Sequence, residues 1–179
     1  MTQYSLDDLG WSQRFQSQIR DEDIPNLARI SSVARDRLSA LTPSGALTLL
    51  PASDMPMSAF AVGDWVLMTP DHDRVARRLA PYSRLMRRAA GTGAEAQLIA
   101  CNVDTLGIVS SCNADFNEAR LERYLALATT ADCLPLVILT KADLSDDARG
   151  FVRRAERLSP LVTALSLDAT DPQEAETLA

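Results

Sequence analysis

Lysine is almost missing from this 179-residue chain: of 18 basic residues only Lys141 is a lysine, and the other 17 are arginine. Histidine is as scarce, with His72 alone. One histidine and three cysteines with no CxxC spacing leave no zinc-ligand pattern. Cys101, Cys112 and Cys133 are odd in number and lie in apolar stretches, which reads as buried free thiols rather than a disulfide framework. His72 stands between two acids in a turn and reads as surface. No apolar run reaches the roughly 18 residues that a membrane span needs, so no membrane partner is expected. The polar, acidic start MTQYSLDDLGWSQRF lacks the basic stretch and apolar run of a signal peptide, and a cytoplasmic protein is expected. Aromatics make up 5%, which leaves Trp65 and Tyr82 as the candidates for stacking on a base, Trp65 being read more readily as core.

What is present is unevenly placed. The net charge of −6 argues against nonspecific nucleic-acid binding by the whole surface. Yet Arg74, Arg77, Arg78, Arg84, Arg87 and Arg88 fall within fifteen residues that hold no acid, so that stretch carries +6 and the rest −12. Arginine's planar fork suits phosphate. These six are candidate RNA-phosphate contacts, and the alternative is a solvated stretch with local ion pairs.

Residues 1–24 read as an N-terminal arm. Ser5 and Asp8 are spaced to cap a short helix, and Leu6, Leu9, Phe15 and Ile19 are placed to dock it loosely; a partly disordered tail is the alternative. Residues 25–81 read as β. Segments LARISSVA, ALTLLP, AFAVGDWVLMT and RVARRLAP are short and separated by turn residues, which predicts a small barrel, OB-type in preference to SH3-like. Residues 82–96 read as a basic linker in which Gly91 and Gly93 suit disorder. From 97 to 179 the pattern becomes β-α-β-α-β. LGIVSS, LPLVILT and LVTALS read as three adjacent parallel strands. The helices between them carry Leu121, Tyr124, Leu125 and Ala128 on one face of the first and Ser145 as N-cap of the second. Asn102 and Asp104 read as capping the entry to the first of these strands.

The second apolar strand runs into Thr140-Lys141-Ala142-Asp143-Leu144, at the strand end where open α/β sheets bind ligands. This resembles the [N/T]KxD motif of GTPases. A carboxylate at Asp143 matches the paired N1–H and N2–H donors of guanine, which adenine lacks. A slim lysine stem can cover the ring where a guanidinium is too bulky and differently directed. The solitary lysine thus stands where arginine would fail. The third strand ends in Ser166-Leu167-Asp168, a looser likeness to the GTPase loop whose backbone N–H reads the guanine O6, with Leu167 where alanine is usual.

GDWV (63–66), RLMRRAAG (84–91), QLIACNVD (97–104), DFNEARLERYLALA (115–128) and LVILTKADL (136–144) occur in this order. Together they resemble the RsgA (YjeQ) family of small-ribosomal-subunit-dependent GTPases, from about residue 25 to the end. The resemblance implies an OB barrel followed by a partial, circularly permuted P-loop-GTPase-like sheet, with the base-reading motifs ahead of the P-loop. It implies GTP or GDP held through Thr140, Lys141, Asp143, Ser166 and Leu167, and GTP hydrolysis in maturation of the small (30S) subunit. It also implies contact with 16S rRNA through the barrel and the arginine stretch. No G-x-x-x-x-G-K-[ST] is present, and none is possible with the only lysine in TKAD. The expectation is therefore a chain cut off before its P-loop, with no catalytic residue and no metal site of its own. Mg²⁺ and zinc would belong to the longer protein, and the free edge of LGIVSS would make this chain self-associate. The alternative reading is a nonenzymatic OB-fold RNA-binding module with a degenerate α/β tail.

Overall fold

Strands β1 (Leu27–Val33), β2 (Leu38–Thr42), β3 (Gly45–Leu49), β4 (Trp65–Met68) and β5 (Val75–Arg78) pair in the order β3-β2-β1-β4-β5 in a computed structural model, which describes residues 4–88 and 96–178, Arg88 through its backbone only. Neighbours in that sheet are antiparallel. Leu50 then pairs parallel with Arg74, its N–H donating to Asp73 and its carbonyl accepting from Val75, both at 2.9 Å. That closure makes the sheet an OB-type barrel. β2 falls outside the segments expected from sequence. Its LSALT is short and half polar, but Leu38, Ala40 and Thr42 alternate inward and the Pro43-Ser44 turn leads straight into β3.

The barrel is filled by Ala28, Ile30, Leu38, Ala40, Leu49, Val66, Met68 and Val75. All four residues of β4 are buried because this strand is covered on both faces. Val66 and Met68 point into the barrel, while Trp65 and Leu67 join Leu27 and Leu79 in a second cluster outside it. The N-terminal arm covers that outer cluster, with Leu9 and Phe15 buried in it. Ser5 and Asp8 do form the expected reciprocal pair, at 2.7 and 3.0 Å. The helix itself is only α1 (Gln13–Gln16), because Gly10 at φ +75° turns the chain first. The arm is tightly docked: Trp11 stands edge-on to Trp65 at 4.9 Å, and Gln18 bonds both the N–H and the carbonyl of Ala80.

Residues 84–88, expected in a linker, form β6 (Arg84–Arg88), antiparallel to β7 (Ala96–Cys101). The expected disorder around Gly91 and Gly93 falls outside the described residues. By sequence, Ala96 falls in the linker and residues 97–101 of β7 in the α/β part. The contacts of the chain divide it into Met1–Val103 and Asp104–Ala179, and β7 belongs to the first unit because Cys101 N–H bonds Val62 at 2.8 Å. Gly63, at φ +89° in the expected turn before β4, has no alternative: a Cβ there would lie 2.1 Å from the Cys101 carbonyl oxygen.

In the second unit β8 (Thr105–Ser111), β9 (Leu134–Thr140) and β10 (Thr163–Ser166) are parallel in the order β10-β9-β8. Helices α2 (Glu118–Thr130) and α3 (Ala148–Glu156) make the crossovers. Both pack on one face, where Ile108, Val137 and Leu139 meet Leu121, Leu125 and Ala155. Tyr124, expected on the buried face of α2, is 46% exposed. Asn117 caps α2 by accepting from Arg120 N–H at 2.8 Å. Asp147, not Ser145, caps α3, accepting from Gly150 at 2.9 Å, because Ala142–Leu144 first form a 3-10 turn. A short α4 (Pro172–Ala175) follows β10.

Candidate functional site

Parallel strands bring their C-terminal ends to one rim. Ser111 at the end of β8 pairs with Thr140 at the end of β9, and Ser166 at the end of β10 pairs with Leu139. The Thr140 hydroxyl donates to the Ser110 carbonyl at 3.0 Å, and the Thr140 carbonyl accepts from Cys112 N–H at 2.9 Å. These two bonds hold the end of β9 to the end of β8.

At Lys141 the backbone becomes left-handed, φ 61° and ψ 36°, and the chain leaves the strand in one step. For an L-residue that conformation costs about 1–2 kcal/mol relative to the right-handed one. Ala142 N–H then donates to the Leu167 carbonyl at 3.2 Å, and Leu167 N–H donates to Leu139 at 3.0 Å. The turn after β9 and the turn after β10 are therefore tied directly together. Lys141 and Asp143 are exposed, and among the described residues neither side chain has a hydrogen-bond or ion-pair partner. Ser166 is half-buried and Leu167 is buried, its N–H already engaged.

Two supports of this rim were not found from sequence. Asp168 N–H donates to Glu174 Oε2 at 2.7 Å, and Asp168 Oδ1 accepts from the hydroxyl and N–H of Thr170 at 2.7 and 2.8 Å. The Thr170 hydrogen bonds hold the Asp168 carboxyl below its ordinary value. Asp-x-Thr followed by Asp-Pro was the available signal, an Asx turn leading into a helix start. Beside it, Asn113 Oδ1 accepts from the Ser111 hydroxyl at 2.8 Å and from Asp115 N–H at 2.9 Å.

The arginine stretch, in the first unit, separates into two kinds. Arg74 donates to the Pro51 carbonyl at 2.9 Å, and Arg77 donates to the Gln18 carbonyl at 2.7 Å. Arg78 pairs with the fully buried Asp64 at 2.9 Å and also donates to the Ala59 carbonyl. Arg84 is exposed without a partner among the described residues, and Arg87 is exposed and bonded to Gln97 at 3.1 and 3.2 Å. The Arg88 side chain lies outside the described residues. Trp65 is wholly buried, and Tyr82 lies under the Arg14 guanidinium at 4.5 Å. Asn102 is buried, donating to Gly63 at 2.8 Å and accepting from Tyr82 N–H at 3.1 Å. Asp104 accepts from Leu134 N–H at the start of β9, at 2.8 Å. His72 is exposed and bonds Asn26 at 3.0 Å.

Within the first unit a cavity of about 770 Å³ lies between Ser31–Val33 and Ala96–Ile99 over Met57 and Phe60. Among the described residues that line it, none is charged. Among the described residues no three His, Cys, Asp or Glu side chains are grouped to hold a metal ion, and no helix is long and apolar enough to cross a membrane.

Residues 79–179 match the RsgA GTPase family. A small ribosomal subunit biogenesis GTPase RsgA from Mesorhizobium japonicum is 47% identical over 178 residues, covering 98% of this chain and 51% of that protein. An RsgA 2 of the same description from Vibrio vulnificus is 40% identical over 171 residues, covering 94% and 48%. Among solved structures, YjeQ from Thermotoga maritima superposes with a TM-score of 0.66 at 18% identity, covering 86% of this chain and 55% of that one. YloQ, a circularly permuted GTPase, gives 0.57 at 19% identity, covering 85% and 53%. These two likenesses bear on fold alone. The chain spans about half the length of the curated relatives it matches.

Proposed function

The chain belongs to the RsgA GTPase family, and from that we propose that it carries the guanine-reading half of a GTP-binding and GTP-hydrolysing factor for small ribosomal subunit maturation in the cytoplasm. The observation that carries this reading is the joined rim. The turn holding Lys141 and Asp143 is bonded through Ala142 to the turn holding Leu167, and the Lys141 and Asp143 side chains are exposed with no partner among the described residues.

In this reading Asp143 accepts from the guanine N1–H and N2–H, and the Lys141 stem lies across the ring. Thr140 holds the turn to β8. Ser166 and Leu167 supply the second wall, with Leu167 acting through its carbonyl on Ala142. No residue of this chain is assigned to hydrolysis. Mg²⁺ would accompany the nucleotide phosphates at groups other than these, and zinc would be expected only in the full-length protein and not at these residues. RNA contact falls first to Arg84, Arg87 and Arg88, since Arg74, Arg77 and Arg78 are held by backbone carbonyls or the buried Asp64, whereas Arg87 bonds only the exposed side chain of Gln97.

The test is Asp143→Asn in the full gene product, read by competition of GTP, ATP and XTP for the site. Hydrogen bonds to a charged group contribute about 1.5–3 kcal/mol each. Asparagine can still accept from N1–H but sets a donor against N2–H, so losing one such bond together with the charge predicts a fall of about tenfold or more in GTP preference over ATP, since 1.4 kcal/mol is tenfold. XTP, whose base presents a carbonyl where guanine has its amino group, should gain, because asparagine offers an N–H there. An unchanged GTP-over-ATP ratio would remove Asp143 from the site.

A further inference from the structure

Helix α3 carries a row of cations that the fold does not use. Arg149, Arg153 and Arg157 recur every four residues, the last at the C-cap, so they share one helix face at steps of about 6 Å. All three are exposed. Arg149 and Arg157 have no hydrogen-bond or ion-pair partner among the described residues. Arg153 approaches Asp147 only to 3.7 Å, with side chains 59% and 73% exposed. Arg154 shows what a structural arginine looks like on the same helix. Its Nε donates to Glu118 at 2.8 Å, and its guanidinium lies 4.5 Å from the Phe116 ring centre and 5.5 Å from that of Phe151.

Local physics opposes the row. Like charges four residues apart repel along a helix. Arg149 also sits in the first turn, which holds no acid, at the end where the helix dipole disfavours a cation. Glu156 is the only acid on the helix and flanks the row. The exposed Arg153–Asp147 pair is the one offset among the described residues, and a row that otherwise breaks local rules marks a surface kept for something else. On a chain of net charge −6 that something is an anion. Between residues 149 and 157 no apolar side chain is exposed, so the face lacks the anchor that a protein partner needs, whereas phosphate needs only the guanidinium forks.

We infer that this face of α3 binds the phosphate backbone of structured RNA. The inference rests on the reading that the chain works on RNA, and it adds a contact surface in the second unit to the one at Arg84 and Arg87. The experiment compares Arg149→Gln/Arg153→Gln/Arg157→Gln with Arg84→Gln/Arg87→Gln, titrating each variant of this chain with naked small-subunit RNA and with whole small subunits across salt. Each lost phosphate contact flattens the salt slope by about 0.7–0.9. The α3 variant should bind naked RNA at least tenfold more weakly at low salt, with a slope shallower by about two. Its melting temperature should not fall, because the substitutions relieve repulsion. Weakening by the 84/87 variant alone overturns the α3 inference and leaves the proposed function standing. Weakening by neither overturns both RNA readings. An α3 effect seen with whole subunits but not with naked RNA assigns the face to a ribosomal protein, and also overturns the inference.

Discussion

Arg78→Met separates a structural arginine from a binding one. Asp64 is wholly buried and its carboxylate accepts two bonds, from Arg78 Nε at 2.9 Å and from Ala61 N–H at 2.8 Å. Arg78 further donates to the Ala59 carbonyl and, at 3.6 Å, to Cys101 Sγ. Removing the guanidinium leaves a buried carboxylate with one donor, and breaking a buried pair in this way costs about 3–5 kcal/mol. At about 4–8 °C per kcal/mol for a unit of this size, the melting temperature should fall by more than about 10 °C. Asp64→Leu with Arg78→Met should recover most of the loss, since replacing both partners by apolar groups is often neutral. Urea unfolding followed by tryptophan fluorescence reports this directly, because Trp11 and Trp65 are the only tryptophans and both lie in the first unit. RNA affinity per folded molecule should stay unchanged. A single variant that loses less than about 1 kcal/mol while binding RNA more weakly would refute the structural assignment.

Phe15→Ala should destabilise the first unit by about 3–5 kcal/mol in the same assay, because the ring is buried between Trp11, Trp65 and Tyr82; a loss below about 1 kcal/mol would mean that the arm is dispensable. Burial and the neighbouring Asp64 carboxylate push the Cys101 thiol up to about 12 from an ordinary 9.0. The unfolded chain therefore loses this proton first, and stability should decline as pH rises from 9 toward 12; iodoacetamide at pH 8 should label Cys101 only on unfolding, and labelling at the native rate of an exposed thiol would contradict this. β8 has no neighbour beyond β9 among the described residues, and Val109 and Leu134 on the sheet face away from the helices are 66% and 67% exposed. The 179-residue chain should therefore self-associate in sedimentation at micromolar concentration, and a monomer throughout would count against an open edge.

The parallel half was legible because its signals are local and redundant. LPLVILT announces a strand by composition, although only Pro135, Val137 and Leu139 are buried, and the helix before it shows the 3.6 period in Leu121, Leu125 and Ala128. Tyr124 misled because it fits the period while lying at its margin. The barrel was legible as a class but not strand by strand. LSALT has too little apolar character to announce β2, and its place is set by pairing on both sides, with β1 and β3. The arginine stretch was the hardest to read. Arg78 and Arg84 look alike in sequence, and what distinguishes them is Asp64, fourteen residues earlier and buried by the barrel closing around it. β6 was hidden for a related reason: its five residues hold three arginines, and only the β7 partner makes them a strand.

Lys141 sets the geometry of the rim through its backbone. Its rarity singled it out, and its position after a buried strand suggested a ligand site. Neither could reveal that it occupies left-handed backbone, where glycine or asparagine is the usual choice. Two contacts hold it there: Thr140 fixes the residue before it to β8, and Ala142 fixes the residue after it to Leu167. The cost at Lys141 is thus borne by bonds on either side, which turn its stem and the Asp143 carboxylate outward from one short turn. A residue that only had to make this turn would be glycine. A long cation held in this conformation, with no partner among the described residues, is the arrangement that the proposed guanine site would use.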